Sequence, residues 1–474
     1  MLAPAVSLWM DQTEHLRVSR ESVRAPLDVD VAIIGAGYTG LWTAWYLKQH
    51  APELNIAIFE AQHVGYGASG RNGGWLLGRI LGEEKMLAGW PEPERGALMA
   101  ELKGIPDSVE QVLVQEGIDC GYRKGGVLTC AARYPEQQQW LLDELKALYA
   151  HGHSEEDYRL LSAHELSQQL RMHQAYGAIY SPHCATIHPA QLALGLATSL
   201  ERKGVRIYED SRVQAWRKGV LTVAGHPVCA QWVVPCVEGY ATETKALRDY
   251  QLTVQSLQIA TEPLSVSQWD EIGLHNGQAA HESSRQVTYF HRTRDDRLVF
   301  GARGSYRFGG KLREQFRLTE DEVKLRRDLM LDLFPQLAKT PISHGWGGNL
   351  GMTRHFRPYM LCDEAGGVAC AGGYGGEGVG ASYLAGRTLA DLILKRDTLL
   401  SRAPWVVRNQ SLRKALRRWE PEPLRWLGYS AVIAAFSYED AVLANPRSSA
   451  LRRKLSSKAA AGISRLMSPE FKVG

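Results

Sequence analysis

The chain has 474 residues, of which 45% are apolar and 22% charged, with a formal net charge of +4. That length supports a large buried core and two structural units, and the composition excludes a disordered or fibrous class. So small a charge gives no reason to expect nucleic acid as a partner.

Met1 to Arg20 carries Asp11 and Glu14 without a continuous apolar run, so it does not read as a signal peptide. Val29 to Ile34, interrupted only by Asp30, predicts a largely buried parallel strand. A glycine turn, a helix over Leu41 to Lys48 and a second strand over Ile56 to Phe59 complete one βαβ unit within about 30 residues. Trp75 to Leu170 is mainly helical in pattern. Gly177 to Ile187 and Val205 to Val213 predict short strands, and Gln231 to Val237 a buried one. Leu252 to Thr261 and Val287 to Arg303 alternate as antiparallel strands do, which predicts a substrate-side sheet inserted into a cofactor domain. Glu320 to Phe334 is a helix; Val368 to Gly372 returns to buried strand, followed by a glycine loop and a helix over Ala381 to Lys395.

Arg402 to Lys472 is basic, with Arg413, Lys414, Arg417, Arg418, Arg452, Arg453 and Lys454 in tight groups. Such helices present a solvated face, with peripheral membrane contact or partner docking as the alternative. No stretch approaches about 18 uninterrupted apolar residues, since Leu424 to Leu443 is broken by Arg425, Glu439 and Asp440, so no transmembrane segment is expected. The seven cysteines are odd in number and hold no C-x-x-C pair. That argues against a disulfide framework and a zinc site and for a reducing, cytoplasmic location, and no metal is expected.

The strongest motif is Gly35-Ala36-Gly37-Tyr38-Thr39-Gly40, a G-x-G-x-x-G that follows a strand and opens a helix. Gly35 permits the tight turn, Gly37 lets backbone approach a pyrophosphate, and Gly40 lets helix and strand pack closely. The helix N-terminus favours the diphosphate through its free N–H groups and dipole. Glu60, with Ala61 after it, ends the second strand 20 residues after Gly40, where a carboxylate accepts from an adenosine ribose and disfavours a 2′-phosphate.

This fingerprint alone does not separate FAD from NAD. The next cluster, Gly65-Tyr66-Gly67-Ala68-Ser69-Gly70-Arg71-Asn72-Gly73-Gly74, together with Gly37-Tyr38-Thr39-Gly40-Leu41, resembles the FAD-dependent oxidoreductases of the D-amino-acid oxidase and glycine oxidase superfamily, in particular the gamma-glutamylputrescine oxidase-like branch. The likeness runs from about Leu8 to Lys395. It implies FAD as cofactor, with Ser69, Arg71 and Asn72 along the diphosphate and flavin edge, and Val213 holding the adenine through its backbone. Pro235 and Cys236 depart from the usual leucine and alanine of the second cofactor-side strand. Phe290 to Gly301 resembles the hairpin bordering the substrate pocket, with Asp295-Asp296 as its turn.

By the same resemblance, Gly372 to Gly380, with Tyr374, Gly375, Gly376, Glu377, Gly378 and Val379, lies against the isoalloxazine. Its N–H groups can stabilise negative charge on reduced flavin. Glu377 stands where the family usually has histidine. A substrate ammonium is one partner for it; solvent or a nearby arginine is the alternative. Catalytic residues stay unknown, with Glu377 and Tyr374 as candidates, since positioning matters more than acid or base work when flavin oxidises an amine. Trp346 to Pro358 crosses the flavin face in the family. It holds no cysteine from Thr340 to Leu361, so a noncovalent FAD is expected. Arg354, His355 and Arg357 within it suit an anionic substrate end, a surface loop or cofactor support being the alternative; Tyr289 and His291 are candidate pocket walls.

The expected fold is α/β: a Rossmann-like FAD-binding domain with an interleaved mixed or antiparallel-sheet substrate domain, as in glutathione reductase-like FAD folds. The expected division is an N-terminal extension (1–27), a discontinuous FAD-binding domain (28–100, 177–250 and 345–400), a substrate domain (101–176 and 251–344) and a basic helical C-terminal extension (401–474). The expected activity is FAD-dependent oxidation of a small-molecule primary or secondary amine, with molecular oxygen as acceptor and peroxide as product. A dehydrogenase serving a quinone or protein acceptor, and a catalytically idle flavoprotein acting as a binding subunit, remain open.

Overall fold

The computed structural model describes residues 7–314, 316–410 and 412–467. Among them a nine-stranded sheet forms the cofactor side, running Val406–Arg408, Tyr359–Asp363, Val368–Gly372, His226–Pro235, Leu27–Ile34, Ile56–Phe59 and Arg206–Tyr208, with Val213–Arg217 and Val220–Val223 as a hairpin off His226–Pro235. Leu27–Ile34 pairs in parallel on both sides, Val31 opposite Trp232 and Ile56. Buried on both faces, it reads as the apolar run Val31 to Ile34.

The second layer is an eight-stranded sheet in the order Ile342–Thr353, Gln251–Thr261, Leu298–Tyr306, Tyr289–Arg292, Ala279–Glu282, Val127–Ala131, Gly177–Ser181 and Arg159–Ser162. All its pairs are antiparallel except Ala279–Glu282 with Val127–Ala131. The fold is therefore α/β, with the second sheet threaded through the cofactor domain.

The helices Tyr38–His50 and Gly378–Ile393 pack against each other on the first sheet. A Cβ on Gly386 would lie 2.5 Å from Trp42 Cβ, and the hydroxyls of Tyr46 and Tyr383 meet at 2.6 Å. This contact ties the first cofactor loop to the last, although some 340 residues separate the two helices.

Three strands and one helix depart from the expected division. Gly177–Ser181 and the whole of Ile342–Thr353 belong to the eight-stranded sheet, and Val406–Arg408 joins the nine-stranded one. The helix Ile105–Glu116 packs its Ile105, Val109, Val112 and Leu113 into the cofactor-side core. The mainly helical stretch from Trp75 to Leu170 also holds the strands Val127–Ala131 and Arg159–Ser162. Local pattern fixes an element's type; its sheet is decided by partners distant in sequence.

Both extensions are anchored. The helix Leu8–Gln12 buries Leu8 and Trp9 among Ala190, Ala260, Val299 and Trp346. Ser7 Oγ donates to Gly70 O and Trp9 Nε1 to Asn72 O, both at 2.9 Å, so this helix props the second glycine loop from behind. At the other end, Leu424–Ala444 and Ala450–Met467 form a helical hairpin. Arg133 holds Asp440 at 2.7 and 2.8 Å, and Arg453 holds Glu136 through two bonds of 2.6 Å. No described helix is long and apolar enough to cross a membrane.

Trp9→Ala is expected to cost roughly 3–5 kcal/mol, because it empties a fully buried site, whereas Leu16→Ala, at an exposed position, stays within about 0.5 kcal/mol of wild type. Chemical denaturation of the two variants checks the difference.

Candidate functional site

A cleft opens at the C-terminal ends of the parallel strands, where an α/β sheet presents its ligand site. Gly35 turns the chain at φ 103°, and a Cβ there would lie 2.8 Å from Cys236 O. At Gly40 a Cβ would sit 2.3 Å from Gly35 O and 3.0 Å from Ile33 Cγ2, so only glycine lets the helix approach the strand. Gly37 precedes the helix and offers no side-chain cap. The helix N-terminus at Gly37, Tyr38 and Thr39 therefore faces the cleft, with Tyr38 N–H donating to Ser69 Oγ at 2.9 Å.

Glu60 and Ala61 line one end of this cleft, together with Val213. The Glu60 carboxylate accepts from Ala36 N–H (2.9 Å) and Gln62 N–H (3.0 Å), while burial raises its pKa. Along the second loop Gly67, Ser69 and Asn72 line the cleft, and a Cβ on Gly67 would meet the Tyr240 ring at 3.2 Å. Tyr240 also lines it, and its buried hydroxyl has no hydrogen-bond partner. A helix end led by glycine, a glycine cradle, a carboxylate at the second strand's end and an unsatisfied hydroxyl together fit a dinucleotide.

Arg71 lies behind the loop. Its guanidinium stacks 3.3 Å from the Phe316 ring centre and donates to Tyr66 O, and burial lowers its pKa to about 10. Gly73 and Gly74 give close approach to the eight-stranded sheet: a Cβ would meet Tyr289 Cε2 at 2.8 Å and His291 Cε1 at 3.1 Å, respectively. Tyr289 Oη is bonded to Ser256 Oγ at 2.6 Å. His291 is buried under Trp9, and burial lowers its pKa to about 4, so it is neutral near pH 7. Both expected pocket walls thus face the second glycine loop.

From the last loop, Tyr374, Gly376, Gly378 and Val379 reach the cleft. Gly375 instead packs under Leu81, whose Cδ2 would be 2.5 Å from a Cβ. Tyr374 Oη is bonded to Thr39 Oγ1 at 2.9 Å, and burial drives its pKa well above the ordinary range. The hydroxyl therefore clamps the last loop to the first helix. Glu377 turns to Arg79, with Nε 3.5 Å from Oε1.

The substrate-binding expectation for Arg354 is corrected. Its buried guanidinium contacts both Glu420 carboxylate oxygens at 3.0 and 3.1 Å and lies over Trp419, so it holds the C-terminal segment. Phe356, next in the same turn, packs on Trp419, and Arg357 is exposed. None of Arg354, His355 and Arg357 lines the cleft.

Two residues with site geometry escaped the sequence reading. Glu238 lines the cleft at φ 36° and accepts from the N–H groups of Gly373 and Tyr374, both at 3.1 Å. Gln251 reaches its Oε2 at 3.1 Å and bonds the Tyr359 hydroxyl at 2.9 Å. Burial outweighs the N–H donors and raises Glu238 to about 7. Arg79 is the other, a lone charge in the apolar run Trp75 to Leu81. That isolation is the signal that finds it.

Two outcomes follow from this geometry. Gly40→Ala forces the helix away from Gly35 O, so the purified variant should lack visible flavin absorbance while retaining its far-ultraviolet spectrum. For Glu238, a folded pKa above the unfolded value means its contribution to stability is full below about pH 4.5 and is lost as pH rises through about 7. Glu238→Gln should therefore reduce the fall in unfolding free energy, measured by urea denaturation, between pH 5 and pH 8, by roughly 1–3 kcal/mol.

Comparison with known proteins places this geometry. Residues 30–392 match the family described as FAD dependent oxidoreductase (DAO). A probable oxidoreductase OrdL of Haemophilus influenzae is 29% identical over 385 residues, covering 78% of this chain and 84% of its own. A gamma-glutamylputrescine oxidoreductase of Escherichia coli is 26% identical over 384 residues, covering 79% and 85%. Among solved structures, glycine oxidase from Geobacillus kaustophilus superposes with a TM-score of 0.66 at 21% identity, over 81% of this chain and 99% of its own.

Proposed function

The chain belongs to the DAO family of FAD dependent oxidoreductases, and from that premise we propose that it oxidises a primary or secondary amine with a noncovalently held FAD. The single observation that carries this reading is the glycine-lined cleft at the ends of the parallel strands, with Gly37, Gly67, Gly376 and Gly378 in its wall and Glu60 at one end. Glu60 would hold the adenosine ribose, the Gly37 helix end and Ser69 the diphosphate, and Asn72 with Gly376, Gly378 and Val379 the ring system. When bound, FAD supplies a hydride acceptor at N5 for the carbon bearing the amine and returns the electrons to oxygen as hydrogen peroxide.

The chain's own residues orient and enclose. Hydroxyl-bonded Tyr289 and neutral His291 pack directly against Gly73 and Gly74, which fixes the shape of the second glycine loop. The N–H groups at the head of the Gly378 helix are aimed toward the cleft, where negative charge develops on reduction. Noncovalent attachment is supported by Cys236, the one cysteine lining the cleft, whose buried thiol is held protonated because burial raises its pKa. The names of the curated relatives, a gamma-glutamylputrescine oxidoreductase and a glycine oxidase, support an amine substrate. A second reading, electron delivery to a quinone or protein acceptor, is favoured by the exposed Leu424, Trp426 and Leu427 on the basic C-terminal segment.

Denaturing the purified protein should release all flavin into the supernatant. Anaerobic addition of amines should bleach the flavin band, and air should restore it within seconds if oxygen is the acceptor. Slow return in air with fast return on adding a soluble quinone would select the second reading, and no bleaching by any amine would remove the amine reading altogether.

A further inference from the structure

The Leu424–Ala444 helix inverts the usual pattern of a surface helix, which turns its charges outward and its apolar side chains to the core. It carries three charged residues, Arg425, Glu439 and Asp440, and each is tied down within the fold. Arg425 Nε donates to Glu420 O at 2.9 Å, buried Glu439 accepts from Arg285 Nε at 2.7 Å, and Asp440 is held by Arg133. Phe436, on the buried side with Glu439, packs under the guanidinium groups of Arg285 and Arg303 at 5.2 and 5.4 Å. What remains outside is apolar. Leu424, Leu427, Ala431, Ala434, Tyr438 and Ala441 are exposed at steps of three and four residues, one continuous stripe along a helix about 30 Å long. Leu424 and Tyr438 keep 60% and 52% of their surface accessible, although the Ala450–Met467 helix already packs beside them.

Cations stand at both ends of the stripe. Near its start the exposed Trp426 meets the exposed Phe308, ring centres 6.2 Å apart, and Phe308 lies between exposed Arg307 and Lys311. Near its end Tyr438 lies 5.9 Å from the Arg452 guanidinium. Arg452 opens the Ala450–Met467 helix, which has five basic residues and no acidic one. Arg453 turns inward to Glu136, while Arg452, Lys454, Lys458 and Arg465 are exposed, with Leu451 and Leu455 exposed among them. The four acids between residues 401 and 467 are all engaged: Glu420 with Arg354, Glu422 with the Tyr306 hydroxyl, Glu439 and Asp440 as above. The exposed charge of the hairpin therefore has one sign. A contiguous apolar surface marks a binding face, and this rim selects what binds. A second copy meeting the same face would bring like charges together. An anionic lipid surface offers phosphates to the cations and an apolar boundary to the leucines and aromatic rings.

We propose that the C-terminal hairpin docks this protein on an anionic lipid surface. Phe308, Leu424, Trp426 and Leu427 enter the boundary between headgroups and acyl chains, and Lys454, Lys458 and Arg465 meet lipid phosphates. The contact is peripheral, since no described helix is long and apolar enough to cross a membrane. The hairpin lies outside residues 30–392, which match the oxidoreductase family, so the docking is a property of this chain's extension and stands whatever its substrate.

The test is co-sedimentation of the full-length, flavin-loaded protein with vesicles of phosphatidylcholine alone or mixed in equal parts with phosphatidylglycerol. Wild type should bind the mixed vesicles far more tightly than the neutral ones, and about 1 M salt, where the Debye length falls to about 3 Å, should weaken that binding. Lys454→Glu combined with Lys458→Glu should weaken it at least about 10-fold. Leu424→Ser combined with Leu427→Ser should do the same through the apolar contact. Both double variants change exposed side chains outside the cofactor cleft and should keep their flavin content. Brominated acyl chains should quench part of the tryptophan emission of wild type, and that part should be missing in Trp426→Phe. Absence of binding to mixed vesicles, equal binding to both kinds, or binding that neither double variant weakens overturns the proposal. Self-association in sedimentation velocity that Leu424→Ser with Leu427→Ser abolishes, without vesicle binding, assigns the stripe to a second copy and overturns it as well.

Discussion

The contact between Gly40 and the carbonyl of Gly35 is the constraint on which the rest of the structure depends. A single Cβ at Gly40 would come to 2.3 Å of that oxygen, so the first helix lies close on the first strand only because there is no side chain between them. That closeness points the helix end at the cleft and sets where Trp42 and Tyr46 stand. Those two in turn fix the Gly378–Ile393 helix through Gly386 and Tyr383. The last glycine loop is thus positioned by the first.

The parts of the site legible in the sequence are those whose geometry is local. G-x-G-x-x-G, Glu60 at its fixed spacing and the Ser69 loop all act within one βαβ unit and its continuation, so residue type and offset determine their role. Glu377 kept two alternatives at the sequence level, and an arginine proved to be its neighbour. Sheet membership was less legible, because Gly177–Ser181 and Ile342–Thr353 find their partners across long separations.

Arg354 shows why a cluster of cations is ambiguous in sequence. Its partner Glu420 lies 66 residues away in a segment that reads only as a basic tail. Glu238 shows the converse: nothing marks a carboxylate after a buried strand as the acceptor for Gly373 and Tyr374, since those donors arrive 135 residues later. In both cases charge was visible and pairing was not.

The N-terminal helix adds an order of events. Leu8 and Trp9 are synthesised before the seat they occupy, which is built from Ala190, Ala260, Val299 and Trp346. The seat is incomplete until nearly three quarters of the chain has been made. This helix therefore docks late, across contacts of high sequence separation, which slow folding. Because Trp9 and Ser7 bond the backbone of Asn72 and Gly70, the second glycine loop acquires its final shape at that same late step. A nascent chain can form its first βαβ unit early, yet it completes the cradle only when the eight-stranded sheet has closed around the Leu8–Gln12 helix.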